Sequence, residues 1–363
     1  MKVDTVDQLL SALSAANSRG GDTSILLADG VYQLPDTLYV NAPKITIASI
    51  SGRRENVVIQ GDAMSAAAKV GNLIRVAANE FELRGVTLQR SRWHLIQIVG
   101  NEDVDRPIIR DCILRDSYEQ MVKVTRDSAK PNVYSDKGVI ENCVFEYTAG
   151  RAPQYYVGGI DAHGARGWVV RSNTFRDIAS PATDVAEFAI HFWADSSGNL
   201  VERNVIIDCD RGIGFGMQGK PNQGGIIRNN FIHHTASDDP YADVGIALIE
   251  SPGTMVYNNT IFLESGFRWA IEYRFPTTKD VRITNNLANL PIISRNGATG
   301  MVASNVTTAS RPYFRMREPG DLRLAGPWAG IVDAGESVDG LIDDIDGEAR
   351  PRGNSIDIGA DEL

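Results

Sequence analysis

Residues 140–173 read IENCVFEYTAGRAPQYYVGGIDAHGARGWVVRSN, and this segment opens and closes with the same short phrase. The phrase is an apolar residue, two mostly polar residues, and then Asn or Cys. It recurs through the chain as IRDC at 109, IENC at 140, VRSN at 170, VERN at 201, IRNN at 227, VYNN at 256, ITNN at 283 and VASN at 302. Self-similarity at a nearly fixed spacing is typical of solenoid proteins.

The spacing of the phrase predicts the fold. Its last residue recurs at steps of 31, 30, 31, 26, 29, 27 and 19 residues. Between the phrases lie short β-rich segments separated by Gly, Asn, Asp and Pro, which predict coils of three short strands. A leucine-rich repeat would need a helix or repeated Leu positions in every unit, and neither recurs. We therefore predict an all-β, single-stranded, right-handed parallel β-helix.

The Asn/Cys column suggests what the repeated phrase does. Asn tolerates the left-handed conformation of a tight turn, and stacked amides can bond from coil to coil. We expect Cys112 and Cys143 to be small, buried members of the same ladder. The column comprises Cys112, Cys143, Asn173, Asn204, Asn230, Asn259, Asn286 and Asn305.

The two ends of the chain depart from the repeat. Residues 6–16 have helical apolar spacing and predict an N-terminal helix that covers the open end of the coils. Coils are predicted over 25–311, followed by an irregular C-terminal tail over 312–363. We expect residues 1–363 to form one β-helix domain.

Composition narrows the functional classes. The 363 residues carry a net charge of −10, and 43% of them are hydrophobic, so a folded acidic protein is expected. No apolar run is long enough to span a membrane, and the acidic balance argues against a protein that coats nucleic acid. Three cysteines cannot build a disulfide framework.

The opening MKVDTVDQLLSALSAAN lacks the features of a secretory signal, which leaves a cytoplasmic protein or one whose signal was removed.

Three features together resemble a known group of proteins. They are DGVY at 29–32, the stacked V-x-x-N phrases, and DIDGEARP with DIGADE near the C-terminus. The chain resembles exported bacterial β-helix proteins of the pectate-lyase-like superfamily, closest in style to chondroitinase B and alginate lyases. The resemblance implies a secreted or periplasmic, monomeric protein whose partner is an acidic polysaccharide or oligosaccharide. The same superfamily includes hydrolases, uronate epimerases and phage tailspikes, so function must come from the site.

A parallel β-helix lets the sequence be converted into a surface map, because equivalent residues of successive coils lie side by side. One strand of each coil carries an inward apolar residue, and the next residue then points outward. The inward residues are Ile74, Ile96, Val122, Ile160, Ile190, Ile213, Ile246 and Ile271. The outward residues are Arg75, Gln97, Lys123, Asp161, His191, Gly214, Ala247 and Glu272.

The middle coils concentrate chemically useful residues on this face. Lys123, Asp161 and His191 are predicted neighbours, with His163 and Trp193 two positions further along their strands. Cleavage of a uronate polymer by β-elimination requires a cation near the sugar carboxylate, a base for the C5 proton and an acid for the departing O4. These residues predict a polysaccharide lyase.

Roles follow in part from the resemblance. Lyases of this shape pair a strand Lys with calcium, which implies Lys123 as the base, whereas His191 is a rival base because its ordinary pKa lies near neutral. Those enzymes also use a catalytic Arg on a following coil, where this chain offers Asp161, His163 and His191. His163 could deliver the proton to O4, and so could Tyr155 or Tyr156.

Further residues are predicted to bind substrate or metal. Arg126, Arg211 and Arg274 are candidates for binding sugar carboxylates or sulfates. Arg211 could equally be a turn brace against Asp208 or Asp210. Trp193 offers a face for sugar stacking. Carboxylates on successive coils have the all-oxygen character of a calcium site, with Asp161 as a further ligand. These carboxylates are Glu187, Asp210 and Asp243.

Two other functions remain open at this point. A glycoside hydrolase could use Asp161 with Glu187 or Asp210, the separation of the carboxyl groups deciding its stereochemistry. A non-catalytic carbohydrate-binding or tailspike-like module would instead need a row of exposed aromatic residues. Epimerisation at C5 shares its proton abstraction with elimination, so these residues do not separate the two reactions.

Overall fold

The computed structural model describes residues 1–181, 184–235, 241–264 and 266–363, and its strands wind into a right-handed parallel β-helix, as predicted. One α-helix, Val6–Ser18, precedes the coils, and two short 3-10 helices lie at Gly100–Glu102 and Arg311–Tyr313. Every pairing between the named strands is parallel, because each coil returns the chain to the same side of the solenoid one step along its axis.

Three long sheets and one short sheet form the walls of the solenoid. Sheet A comprises Lys2–Val3, Thr23–Leu27, Ile45–Ser49, Glu82–Arg84, Ile108–Arg110, Val139–Glu141, Val169–Arg171, Leu200–Glu202, Ile226–Arg228, Met255–Tyr257, Val281–Thr284 and Gly300–Ala303. Sheet B comprises Gly30–Gln33, Val57–Gln60, Thr87–Ser91, Ile113–Ser117, Val144–Glu146, Thr174–Arg176, Val205–Ile207, Phe231–His234, Thr260–Leu263 and Leu287–Ala288.

The other two sheets carry the face on which the polar cluster was predicted. Sheet C comprises Leu38–Val40, Ile74–Val76, Ile96–Ile98, Val122–Val124, Ile160–His163, Ile190–Trp193, Arg211–Phe215, Val244–Ile249, Trp269–Arg274 and Ile292–Arg295. Sheet D, which follows sheet C in the middle coils, comprises Ser135–Asp136, Ala165–Arg166, Ser196–Ser197 and Asn222–Gln223.

The register of sheet C agrees with the alignment of the repeats. Val122 pairs with Ile160, and Ile160 pairs with Ile190, so the eight predicted inward residues form one continuous column. All eight are fully buried. Since a shift of one residue would expose the whole column, burial of these apolar side chains fixes which residues point outward.

The Asn/Cys ladder lies at the corner between sheets A and B. Each backbone amide in the ladder donates to the side chain of the next member, beginning with Cys112 N to Cys143 Sγ at 3.4 Å and ending with Asn286 N to Asn305 Oδ1 at 2.9 Å. The expected conformation needs one correction. The left-handed residue is the one before each ladder member, for example Ser172 at φ 56° and Asn229 at φ 51°. The ladder amides therefore point inward and brace a turn made by their neighbours.

The helix Val6–Ser18 covers the first coils, as its spacing predicts. Leu9, Leu13 and Ala16 are buried in the same apolar core as the inward column. The side chain of Thr5 accepts a hydrogen bond from Gln8 N at 3.3 Å, and Gln8 Oε1 accepts one from Asp4 N at 2.9 Å, which satisfies two donors at the helix N-terminus.

The C-terminal tail packs on the outside of the solenoid. Phe314, Leu324 and Ile358 form a second apolar cluster with Phe231 and Phe262 of sheet B. The tail is also tied to itself, because the buried Arg350 guanidinium donates to Glu362 Oε2 at 2.7 Å and to Gly359 O at 2.8 Å. Burial of such a charge is tolerated only when its donors are satisfied.

Candidate active site

Three neighbouring strands of sheet C bring the predicted polar residues together. Lys123 pairs with Asp161, and Asp161 pairs with His191, so the three side chains occupy successive coils at one outward position. His163 and Trp193 also pair with one another. A column that would usually face solvent is here almost fully enclosed, since the exposed fraction is 9% for Lys123, 1% for Asp161 and 6% for His191.

Asp161 is the centre of a buried hydrogen-bonded network. Its carboxylate accepts from the Lys123 ammonium and from Trp193 Nε1, and Lys123 Nζ lies 3.1 Å from His163 Nε2. Burial by itself would raise the pKa of Asp161, but the hydrogen bond with His163 and the charge of Lys123 outweigh it and hold the pKa well below its usual range. Asp161 is therefore a fixed anion that neutralises Lys123.

His191 has one nitrogen engaged and one without a partner. Its Nε2 lies 3.1 Å from the carbonyl oxygen of Gly216, so Nε2 carries the proton that this bond requires, whereas the buried Nδ1 has no hydrogen-bond partner. Burial lowers the pKa of His191 to about 4. The imidazole is consequently neutral over the physiological range, with a lone pair on Nδ1.

Glu187 lies beside His191, in surroundings that destabilise the negative charge of the Glu187 carboxylate. Its Oε2 is buried without a hydrogen-bond partner, and burial, reinforced by the negative charge of Asp161, raises the pKa of Glu187 to about 7. Burial lowers the pKa of His163 in the same region. The cluster thus combines one permanent anion with a carboxyl group and imidazoles that stay neutral more readily than in water.

A cleft of about 560 Å³ opens over the cluster. Its lining combines imidazole, aromatic and cationic side chains from four coils, and includes Tyr156, His163, Glu187, Phe188, His191, Trp193, Arg211, Lys220 and Arg274. Gly214 allows Phe188 to pack directly on sheet C, because a Cβ atom there would lie 2.6 Å from the Phe188 ring. Lys123 is not among the lining residues and lies beneath them.

Cations line the far side of the cleft. Arg211 Nε bonds to Asp243 Oδ2 at 2.7 Å, so the brace predicted against Asp208 or Asp210 is made instead to Asp243. Arg274 lies 3.7 Å from Glu272. Lys220 Nζ lies 4.8 Å from the centre of the Trp193 ring and has no salt bridge in the described part of the chain. The repeat analysis missed Lys220, which lies in the turn Met217–Lys220 next to two glycines.

Other predicted binding residues lie outside the cleft lining. Arg126 Nη1 pairs with Asp195 at 2.6 Å, and the guanidinium lies 5.0 Å from the Tyr134 ring. Tyr155 is 48% exposed, but only its neighbour Tyr156 lines the cleft. Arg126 therefore braces the loops around sheet D, while Tyr156 remains available to a bound substrate.

The carboxylates predicted to hold calcium point in different directions. Asp210 Oδ2 accepts from the backbone amides of Ser180 and Ala186, and Asp243 bonds to Arg211. Glu187 instead joins Asp161 and His191, whose ligand atoms lie within 4.8 Å of one another. This group could hold a metal ion, but it does not fit calcium, which prefers six to eight oxygen ligands, because it offers a nitrogen and a carboxylate already bound to Lys123.

A second acidic group that could hold a metal lies in the tail. It comprises Asp344, Asp346 and Asp361. Asp344 Oδ1 accepts from two backbone amides and Asp346 pairs with Arg323, so these carboxylates already brace the tail.

Comparison with known proteins supports the fold. Residues 158–311 match the family model described as right handed beta helix region. The crystal structure of the pectate lyase Pel9A aligns with a TM-score of 0.59 at 14% identity, over 96% of this chain and 90% of that one. A mannuronic acid specific family 6 polysaccharide lyase from human gut microbiota aligns with a TM-score of 0.50 at 12% identity, over 84% and 79%. No curated protein matches the sequence.

These similarities show the fold. At 12–14% identity they do not transfer a substrate or a catalytic residue to this chain. In the described residues, no helix is long and apolar enough to cross a membrane.

Proposed function

We propose that the protein is a polysaccharide lyase that cleaves a uronate-containing acidic polysaccharide by β-elimination in the sheet C cleft. The observation that carries this proposal is the neutral imidazole of His191, with an unpartnered Nδ1, in a cleft lined by Arg211, Lys220 and Arg274. A base without charge beside several cations suits the removal of a proton next to a sugar carboxylate.

The cations would bind the sugar carboxylate and stabilise the negative charge that develops after proton removal. Lys220 is the strongest candidate, because Arg211 and Arg274 already have carboxylate neighbours. Its ammonium lies over the ring of Trp193, which is only 9% exposed, so the ring predicted to stack on a sugar instead holds this cation at the cleft, where a sugar carboxylate can pair with it. A side-chain cation at this place could neutralise the sugar carboxylate without a metal ion.

His191 is the proposed base. In the tautomer set by Gly216, Nδ1 accepts the C5 proton, the C–H electrons form the C4–C5 double bond, and the C4–O4 bond breaks. Lys123 is a weaker candidate, because an ammonium that donates to Asp161 and lies 3.1 Å from His163 Nε2 has no lone pair for the proton.

His163 is the proposed donor of a proton to O4, with Tyr156 as the other donor that lines the cleft. Neutral His163 can give its Nδ1 proton to O4 only if Nε2 takes up a proton in the same step, and Lys123 Nζ, 3.1 Å from Nε2, is placed to supply that proton. Lys123 then acts through His163 without contacting the sugar, and Asp161 is a positioning residue that holds Lys123. Acidic polysaccharides are found outside the cytoplasm, so a secreted or periplasmic enzyme is part of this proposal.

The test is incubation with alginate, polygalacturonate, chondroitin, hyaluronan and ulvan, with ultraviolet absorbance reporting the unsaturated sugar. We expect a rise on one polymer that persists in EDTA. The variant His191→Gln keeps a donor for Gly216 but removes the base, so kcat should fall about 10²- to 10⁴-fold with little change in KM. Protonation of His191 should lower the rate of the wild type as the pH falls towards about 4.

A matched control is Arg126→Lys, outside the cleft lining, which should retain the rate. A full rate in His191→Gln would reject His191 as the base, and a full rate in folded Lys123→Met would likewise reject Lys123. Absence of unsaturated product on every polymer would contradict the lyase proposal.

One observation favours a second function. The pKa of Asp161 lies below its usual range while that of Glu187 is raised to about 7, and opposite shifts in two neighbouring carboxyl groups are a pattern of glycoside hydrolases. Asp161 is only 1% exposed and fully engaged, which makes it a poor nucleophile. New reducing ends without unsaturated product in the same assay would favour this hydrolase.

A further inference from the structure

Outside the cleft, the same side of the solenoid carries exposed aromatic rings next to arginines. Trp93 is 43% exposed and Tyr39 is 38% exposed, although aromatic side chains of this size are usually buried. Trp93 lies just before the strand Ile96–Ile98, and Tyr39 lies in the strand Leu38–Val40, both in the early coils of sheet C. Neither residue belongs to the cleft.

The backbone holds Trp93 in place while its ring stays accessible. Trp93 N donates to Gly71 O at 3.0 Å, and Glu119 N donates to Trp93 O at 3.2 Å. The ring lies against Gly71 so closely that a Cβ atom at Gly71 would be 2.6 Å from it. A ring that is fixed on one side by backbone and belongs to a residue 43% exposed is suited to stacking against a ligand.

An arginine guanidinium lies near each of the two rings, Trp93 and Tyr39. The guanidinium of Arg92 lies 5.3 Å from the Trp93 ring, and that of Arg75 lies 5.2 Å from the Tyr39 ring. Arg92 is exposed, and among the described residues no carboxylate lies within 4.0 Å of it. An unpaired arginine beside an exposed tryptophan can bind a planar anion such as a carboxylate on a stacked sugar.

The position of Trp93 relates it to the cleft. Backbone bonds link Trp93 to Glu119, and Val157 to Glu187, so these residues mark one edge of sheet C over four successive coils. Three steps of the parallel strand spacing place Trp93 about 14 Å from Glu187 along the solenoid axis. Tyr156, which is 41% exposed, lies between the two and also lines the cleft. A polymer crossing the strands from the cleft would pass Tyr156 and reach Trp93.

We propose that Trp93 and Arg92 form an outlying subsite that binds a further acidic sugar of the chain held in the cleft. The inference rests on the proposed function and deepens it. The substrate is then a polymer of several acidic sugars, and short oligosaccharides that fill only the cleft are bound more weakly. Tyr39 and Arg75 continue the same surface towards the N-terminal end.

The test measures binding and turnover separately. Binding is read from the retardation of the protein in gels containing alginate, polygalacturonate or chondroitin, with the His191→Gln background preventing degradation. Adding Trp93→Ala or Arg92→Ala should weaken polymer binding about three- to tenfold, whereas Trp93→Phe should retain most of it. Gly71→Ala, which displaces the ring without removing it, should resemble Trp93→Ala. Arg53→Ala, an exposed arginine on another side of the solenoid, is the matched control and should have no effect.

On an otherwise unchanged enzyme, Trp93→Ala should raise KM for the polymer while leaving the rate on a disaccharide or trisaccharide unchanged. Equal polymer binding by Trp93→Ala and its parent would overturn the subsite, and so would an equal loss in the Arg53→Ala control. These results are independent of the proposed reaction, which fails only if no unsaturated product is formed. Folding of each variant is checked by its thermal midpoint.

Discussion

The Asn ladder and the sheet C cluster are both columns of buried polar side chains on successive coils, and they differ in how completely those side chains are bonded. In the ladder, Asn230 Nδ2 donates to Val201 O, Arg228 O and Asn259 Oδ1. In the cluster, Glu187 Oε2 and His191 Nδ1 are buried without partners. Similar stacking geometry thus bonds the side chains fully in one column and leaves unpartnered atoms in the other, which distinguishes the two columns better than burial or charge alone.

The largest loss of stability is expected from Lys123→Met, because the Lys123 ammonium neutralises the buried Asp161 carboxylate. Lys123→Met leaves the Asp161 carboxylate buried opposite an apolar side chain, so the free energy of unfolding should fall by about 3–5 kcal/mol. Urea denaturation measures this loss. In the double variant with Asp161→Asn, most of the stability should return because both charges are removed. If the double variant is as unstable as the single one, the stability lost in Lys123→Met does not come from breaking the Lys123–Asp161 pair.

A smaller loss of stability is expected in the ladder, without loss of function. Asn230→Ala removes a fully buried amide and leaves the backbone amide of Asn204 unpaired, which should destabilise the fold by about 1–3 kcal/mol. Asn230→Cys should lose less, because cysteine already serves in this column at Cys143. The lyase rate of the folded variants should be unchanged, and a specific loss of rate would end the distinction between the two columns.

The effect expected from Glu187→Gln depends on pH and vanishes below pH 4.5. The pKa of Glu187 is raised from 4.5 to about 7 in the folded protein, so between these values the folded state keeps a proton that the unfolded state has lost. This group therefore makes stability fall as the pH rises from 4.5 to 7. Glu187→Gln removes that dependence and should be about 1–3 kcal/mol more stable than wild type above pH 7, with no difference below pH 4.5. Denaturation at both ends of this range checks the sign, and equal stability above pH 7 would show that the Glu187 carboxylate is solvated.

The fold and the register could be predicted from sequence because each coil repeats an inward apolar residue. Ile160 and Ile190 are paired in the structure as the repeats align them, and this fixes Asp161 and His191 as outward neighbours. The conformation at the ladder turn was predicted one residue too late. The spacing shows which residue recurs, but whether it or its predecessor takes the left-handed conformation depends on where the amide must point.

The remainder of the site lies in features that do not repeat. Lys220 reaches the cleft from the turn Met217–Lys220, which lies outside the repeated phrase, so alignment of the repeats gives it no position. The partners of Asp210 and Asp243 depend on local geometry, since backbone amides attract one carboxylate and Arg211 attracts the other. Composition and spacing identify which residues lie near the cleft, but the direction of each carboxylate is decided by the donors around it.

Successive coils of the solenoid are separated by a constant distance along its axis, so the number of coils sets the distance between two places on its surface. Each coil inserted between Trp93 and the cleft would increase the distance from the outlying subsite to the cleft by about 4.8 Å, without altering the residues at either place. Related chains could thus select polymers of different minimum length by changing the number of coils, while chemistry and fold stay the same. In a solenoid, the number of coils along the axis sets the distance between two binding places, whereas the side chains of one sheet face set the chemistry at each of them.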